Sequence, residues 1–267
     1  MAQVVERILG KDEVGSSSLP SSSMKKHLLS KCFFQYPEQI SPVIIMKTIA
    51  KIYNDYESKF GVPRQAGLVE GENSLIIFEP EYRFPEALRG IENSNYLWLI
   101  WEFSEFRDKE WSPTVRPPRL GGNKRLGVFA TRSPHRPNPI GLSAVRLLGT
   151  VQTENSGIAL RVSGADLMNG TPIYDIKPYI PYADIRPDAV NTLFGEDSAK
   201  LNVIIPDEIS AILPEGKADT LKEILAQNPT PRYIDDPERE YGLSFAGFNI
   251  KFIISDETVT VTRIERE

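Results

Sequence analysis

Three prolines fall within six residues of the segment ATRSPHRPNPIG (residues 130–141), interleaved with Arg132, Ser133, His135, Arg136 and Asn138. Each proline fixes φ near −65°, removes an N–H and restricts the residue before it, so helix and interior strand are excluded and the loop is stiff. A stiff loop holds its donors in place before a ligand arrives. Loaded with side-chain donors, the loop is what a site needs whose polar groups must stand ready for a ligand. A rigid surface turn with solvated arginines is the plainer account, and the number of polar groups per residue favours the site.

A second segment, GVPRQAG (residues 61–67), pins its backbone at Pro63 and projects a forked cation, Arg64, and an amide, Gln65. By itself it is an ordinary polar turn. A third, SGADLMNGTPIYDIKPY (residues 163–179), has a turn at Asn169-Gly170. Period-two alternation sets Asp175 and Lys177 on one face of the strand that follows. A surface salt bridge accounts for that pair. The sharper reading has Asp166 and the turn backbone accepting hydrogen bonds from an adenine amino group or ribose hydroxyls, with Asp175 and Lys177 on the pocket wall.

Several chemistries are excluded. No GxGxxG, Walker or GxSxG motif occurs. His27 and His135 are the two histidines, too few for a multi-histidine metal site, and Cys32 is the one cysteine, so neither an intrachain disulfide nor a thiolate cluster forms. No metal is expected. Net charge is −5, which argues against a nucleic-acid partner, yet its distribution argues for one. Residues 112–146 hold seven cations (Arg116, Arg119, Lys124, Arg125, Arg132, Arg136, Arg146) and no acid, while residues 188–267 hold sixteen acids and eight cations. A positive patch sits on an acidic chain, and an anionic partner is the expectation.

The elements that must carry these segments are short strands. KTIAKI, SLIIFEP, NYLWLIWEF, LGVFA, GLSAVRLLG, GIALRVSG and PIYDIKPY follow one another at short, turn-separated intervals, predicting a mainly β chain built on an antiparallel barrel. PEALRGI offers one helical turn with Pro85 at its first position. Beyond residue 184 the pattern becomes α+β. It has a strand at LNVIIP, a short helix over 207–213, a second helix capped by Asp219, and a hairpin of runs 243–255 and 258–264 joined at Asp256-Glu257. Three regions result: 1–45, an N-terminal extension expected to be poorly ordered; 46–184, the barrel; and 185–267, a small C-terminal domain. No apolar run approaches the roughly 20 residues that span a bilayer. The first residues do not read as a secretory signal, so a reducing, cytosolic location is expected.

Read together and in this order, GVPRQAG, ATRSPHRPNPIGLSAVRLLG and ADLMNGTPIYDIKPY resemble the TsaA-like (TrmO) family of tRNA methyltransferases. The NYLWLIWEFSE strand and DPEREYGLSFAGFNIKF resemble its bacterial two-domain members. The resemblance implies a barrel that binds S-adenosylmethionine (SAM), usually dimeric, which methylates N6 of threonylcarbamoyl-adenosine at position 37 in the anticodon loop of certain tRNAs, threonine tRNA among them. Carried over by position, the SAM contacts fall on Pro63, Arg64, Gln65, Ser104, Glu105, Arg132, Leu142, Asp166, Leu167, Met168 and Asn169. RNA phosphates would meet Arg116, Arg119, Lys124, Arg125, His135 and Arg136. Asp175, with Lys177 beside it, would take the N6 proton. Family members usually carry a histidine near Ser104 and an aspartate where Asn169 stands; both differences keep a polar group and remove an ionisable one. Two rivals stay open at this point: a non-catalytic protein that senses SAM or a nucleotide while docking RNA, and an enzyme of other adenine-nucleoside chemistry.

Overall fold

The computed structural model describes residues 46–117, 124–194, 200–230 and 239–267. Expectations for residues 1–45 and for Arg119 lie outside the described residues. Residues 46–267 form one compact unit.

Six antiparallel strands carry the first part: β1 (Ala50–Tyr53), β2 (Asn73–Phe78), β3 (Tyr96–Glu102), β6 (Ile140–Thr153), β7 (Gly157–Ser163) and β8 (Pro172–Pro178). They hydrogen-bond in the order β1-β2-β7-β6-β3-β8, and β1 pairs with β8 as well as β2, closing the barrel. Alternation decides which side chains enter the middle. Ala50, Ile52, Ile76, Leu97, Leu99, Val145, Leu160, Val162 and Ile173 are buried there. A one-residue slip of any strand would turn its apolar set outward, so this core also fixes register.

LGVFA departs from the expectation. Leu126–Gly127 forms a two-residue strand, β5, whose partner among the described residues is β4 (Thr114–Val115), and Val128–Ala130 is a 3-10 turn. Pro113 and Pro117 bracket β4 and stop it from extending. The turn at Pro85–Leu88 is present, with proline at its start.

The C-terminal part is a four-stranded sheet in the order β10-β11-β12-β9, with β9 (Asn202–Ile204) parallel to β12. The run 243–255 is two strands, β10 (Tyr241–Phe245) and β11 (Phe248–Ser255), because Ala246 and Gly247 both adopt positive φ and make a tight turn. Asp256 and Glu257 do the same between β11 and β12 (Thr258–Arg266), the geometry a two-residue hairpin needs. Helix α1 (Pro181–Asp184) follows the barrel; α2 is one turn, Asp207–Ser210, and α3 spans Lys217–Ala226. Gly216, not Asp219, sits at the N-cap of α3. Asp219 lies inside the first turn, where its charge still complements the helix N-terminus. Leu221, Ile224 and Leu225 pack this helix onto Leu243, Phe245, Ile250, Phe252, Val259 and Val261. Among the described residues no helix is long and apolar enough to cross a membrane.

Tyr56, from the barrel side, is buried in this second core, and its hydroxyl has no hydrogen-bond partner among the described residues. Burial, with Glu72 nearby, pushes its pKa far up. An unsatisfied buried hydroxyl costs about 1–3 kcal/mol. Tyr56→Phe is therefore expected to leave the melting temperature unchanged or to raise it by a few degrees; a clear drop in a thermal melt would mean that the hydroxyl is satisfied in solution.

Candidate functional site

A cleft of about 720 Å³ opens at one end of the barrel. Its floor begins with β3. Trp101 lies opposite Gly141 on β6, and a Cβ at Gly141 would sit 2.2 Å from Trp101 Cε2, so the indole occupies space that only glycine leaves free. The indole N–H donates to Ser143 Oγ at 2.9 Å, and the Ser143 hydroxyl donates to Asp166 Oδ1 at 2.5 Å. These three side chains form one hydrogen-bonded line into the cleft. Burial raises the pKa of Asp166, while the Ser143 hydroxyl, backbone N–H groups and the Arg132 charge pull it the other way.

One wall is aromatic. The ring of Trp101 is 4.3 Å from Phe103, Phe103 is 6.4 Å from Phe106, and Phe106 meets His135 edge-on at 4.7 Å. Beside it, Glu102 lines the same cleft, largely buried and paired with Arg107, which holds its carboxyl below the usual range.

The segment 62–66 and the proline loop supply the rest of the lining. Arg132 donates to Gln65 Oε1, and Arg64 donates to the carbonyl of Asn228 at 2.7 Å. The proline loop braces itself. Arg136 donates to the carbonyls of Thr131 at 2.7 Å and of Ser133 and Val128 at 3.4 Å, and Thr131 Oγ1 donates to Val128 O at 2.9 Å. Stiffness expected from three prolines is thus reinforced by one arginine.

Of the residues expected to contact a ligand, Pro63, Arg64, Gln65, Ser104, Glu105, Arg132, Leu142, Asp166 and Met168 line this cleft. Two do not. Leu167 is fully buried in the barrel core, and Asn169 is turned to Glu57 and to the backbone of Asn54. Arg136, expected at RNA, lines the cleft. His135, Arg116, Lys124 and Arg125 are exposed, with Arg125 reaching Thr114.

Asp175 and Lys177 are not on the cleft wall. They pair with each other at 2.7 Å, both well exposed. Leu142, Ile100 and Asp175 lie in register across three adjacent strands. At strand spacing that puts Asp175 about 10 Å from the cleft residue Leu142, on the same outer face.

The sequence reading missed Trp101, Phe103, Phe106, Gly141 and Ser143. Aromatic residues in a strand read as core, and nothing local marks which of them faces a cleft. Among the described residues there is no cluster of three or more His, Cys, Asp or Glu that could hold a metal ion. What the cleft offers is the carboxylates of Glu102, Glu105 and Asp166, aromatic faces, hydroxyls and the guanidinium groups of Arg64, Arg132 and Arg136. That set suits an organic ligand with a flat ring system, hydroxyls and a positive centre.

A model of the tRNA-methyltransferase O N-terminal domain matches residues 51–185, and a model of the TrmO C-terminal domain matches residues 198–267. The chain is 39% identical over 226 residues to the tRNA (adenine(37)-N6)-methyltransferase of Escherichia coli K12, covering 81% of this chain and 96% of that one. It is 43% identical over 161 residues to the enzyme of the same name from Eikenella corrodens, covering 60% and 90%. A crystal structure of TrmO from Pseudomonas aeruginosa superposes with a TM-score of 0.67 at 31% identity, covering 84% of this chain and 97% of that one.

Proposed function

Because the chain belongs to the tRNA-methyltransferase O family, we propose that the cleft around Asp166 is where it binds SAM and methylates tRNA. The protein is a SAM-dependent tRNA methyltransferase acting on N6 of adenine 37. The observation that carries the cleft assignment is the Trp101–Ser143–Asp166 line, which sets a carboxylate among aromatic faces.

SAM supplies a methyl group on a positively charged sulfur. Asp166 is positioned to accept hydrogen bonds from the nucleoside part, with Ser143 fixing the carboxylate and Trp101 fixing Ser143. The aromatic wall of Trp101, Phe103 and Phe106 provides faces for a flat ring and for the cationic centre. Arg64 and Arg132 present donors for a carboxylate. The N6 lone pair is delocalised into the ring, so the enzyme's main contribution is to hold acceptor and donor in line with water excluded. Proton acceptance from N6 by Asp175 requires the adenine to enter along the outer face shared with Leu142; full activity in Asp175→Asn removes it from the mechanism.

Three finer points belong to the same proposal. The substrate adenosine carries the threonylcarbamoyl group and lies in the anticodon loop of threonine tRNA. That loop's phosphates meet Arg116, Lys124, Arg125 and His135, beside Phe129, which is 75% exposed and carries Arg136 over its ring at 5.9 Å. The enzyme works as a homodimer in the cytosol.

The test is transfer of labelled methyl from SAM to tRNA from cells lacking this protein. Wild type labels N6 of adenine 37, and Arg132→Ala lowers kcat/KM by about tenfold or more, roughly 1.4 kcal/mol per decade. No label in tRNA under conditions where SAM binds would defeat the reading. Phe129→Ala should raise KM for tRNA and leave SAM affinity alone.

A further inference from the structure

The cleft wall that carries Pro63, Arg64 and Gln65 is not held by the barrel alone. It belongs to the connection from β1 to β2, which contains no regular helix or strand between Tyr53 and Asn73. A connection of that length has a high ordering cost and needs partners. On the barrel side, Gly67 N–H donates to Gly164 O at 2.8 Å. Also on the barrel side, Asn169 N–H donates to Tyr56 O at 2.9 Å, Asn54 Nδ2 donates to Leu167 O at 2.9 Å, and Arg132 donates to Gln65 Oε1; a second set of anchors comes from the C-terminal part.

Tyr56 and Val69 are buried with Leu221, Leu225, Leu243 and Phe245, and Phe60 and Val62 pack against the same core. Lys217, the first residue of α3, reaches Asp55 Oδ2 at 2.5 Å and Glu72 Oε2 at 2.9 Å, clamping both ends of the connection at once. Glu223 Oε2 accepts from the N–H groups of Glu70 and Gly71 at 2.9 and 3.0 Å. At the far end of the helix, the carbonyl of Asn228 receives the Arg64 guanidinium at 2.7 Å.

From these contacts we infer that α3 positions the SAM-binding wall. Lys217 and Glu223 are positioning residues: they touch no ligand, and they set where Arg64 and Gln65 stand in the cleft. The inference rests on the cleft being the SAM site. It gives the C-terminal domain a role in cofactor affinity that is separate from any contact with RNA.

The experiment measures binding of S-adenosylhomocysteine by calorimetry in the full chain, without tRNA, and steady-state kinetics with both substrates. Lys217→Met should weaken the nucleoside roughly tenfold and raise KM for SAM in parallel. At saturating SAM, kcat and KM for tRNA should stay within about twofold of wild type on the same scale. Lys217→Arg should recover most of the affinity. Glu223→Ala, at a half-buried position on the helix surface, should weaken binding about threefold with only a small change in melting temperature, and it decides the matter should Lys217→Met fail to fold. Unchanged affinity in folded variants would overturn the inference and leave α3 as a structural clamp; so would a rise confined to KM for tRNA. Wild type that binds no S-adenosylhomocysteine would instead defeat the assignment of the cleft.

Discussion

Gly141→Ala lowers kcat/KM for methyl transfer by about 100-fold, near 2.7 kcal/mol, in a protein that still folds. A Cβ there would lie 2.2, 2.4 and 2.6 Å from three ring atoms of Trp101. These contacts are with the body of a rigid ring that is 5% exposed, not with the tip of a flexible chain, so the indole has to move. Overpacking of this kind costs about 1–3 kcal/mol of stability, a drop of a few degrees in melting temperature for a chain of this size. The functional loss is larger because the indole does two jobs. It forms the first face of the aromatic wall, and it donates to Ser143, which holds Asp166. Gly127→Ala is the control. Among the described residues nothing lies within 4 Å of its added Cβ, and its φ of −59° suits any residue. Its activity and melting temperature should match wild type. Gly141→Ala with activity within twofold of wild type would mean that the indole is free to reorient and that the cleft floor is not preorganised.

Much of the barrel was legible in the sequence because its strands alternate, and alternation is the direct image of a sheet with one buried face. The failures have local causes. LGVFA has strand composition, yet Pro113 and Pro117 limit its partner to two residues, and no pattern within LGVFA reports that. The run 243–255 reads as one strand because Ala246 gives no hint of a turn; its positive φ is imposed by pairing on either side. At the site, the polar half was readable and the apolar half was not. Arg64, Gln65, Arg132 and Asp166 announce themselves by residue type and by stiff or turning neighbours. Trp101 and Gly141 act only as a pair, through a cross-strand register that sequence does not display. Asn169 and Asp175 show the converse: polar type drew attention to both, yet Asn169 turns to Glu57 and Asp175 pairs with Lys177 outside the cleft lining.

Asp166→Asn should separate the charge of this carboxylate from its shape. Burial raises its pKa in the folded protein above the ordinary aspartate value. The sign follows by linkage: a raised folded pKa favours the native state below the unfolded pKa, and that advantage is lost as pH rises through the folded value. Near neutral pH the ionised group therefore costs the empty protein stability. The Asn variant should melt higher than wild type there, and the difference should vanish in acid. Binding runs the other way. A ligand with a positive centre favours the ionised form, so SAM affinity of the wild type should climb with pH through the Asp166 titration, and the variant should bind weakly with a flat profile. With a charge-assisted contact worth about 1.5–3 kcal/mol, kcat/KM should fall roughly 10- to 100-fold. Higher stability together with weak, pH-independent SAM binding is what a carboxylate retained for its ligand produces. If the variant were less stable and its SAM affinity still rose with pH as in wild type, Asp166 would be a structural member of the Ser143 line, and the charge facing the ligand would have to come from another residue in the cleft.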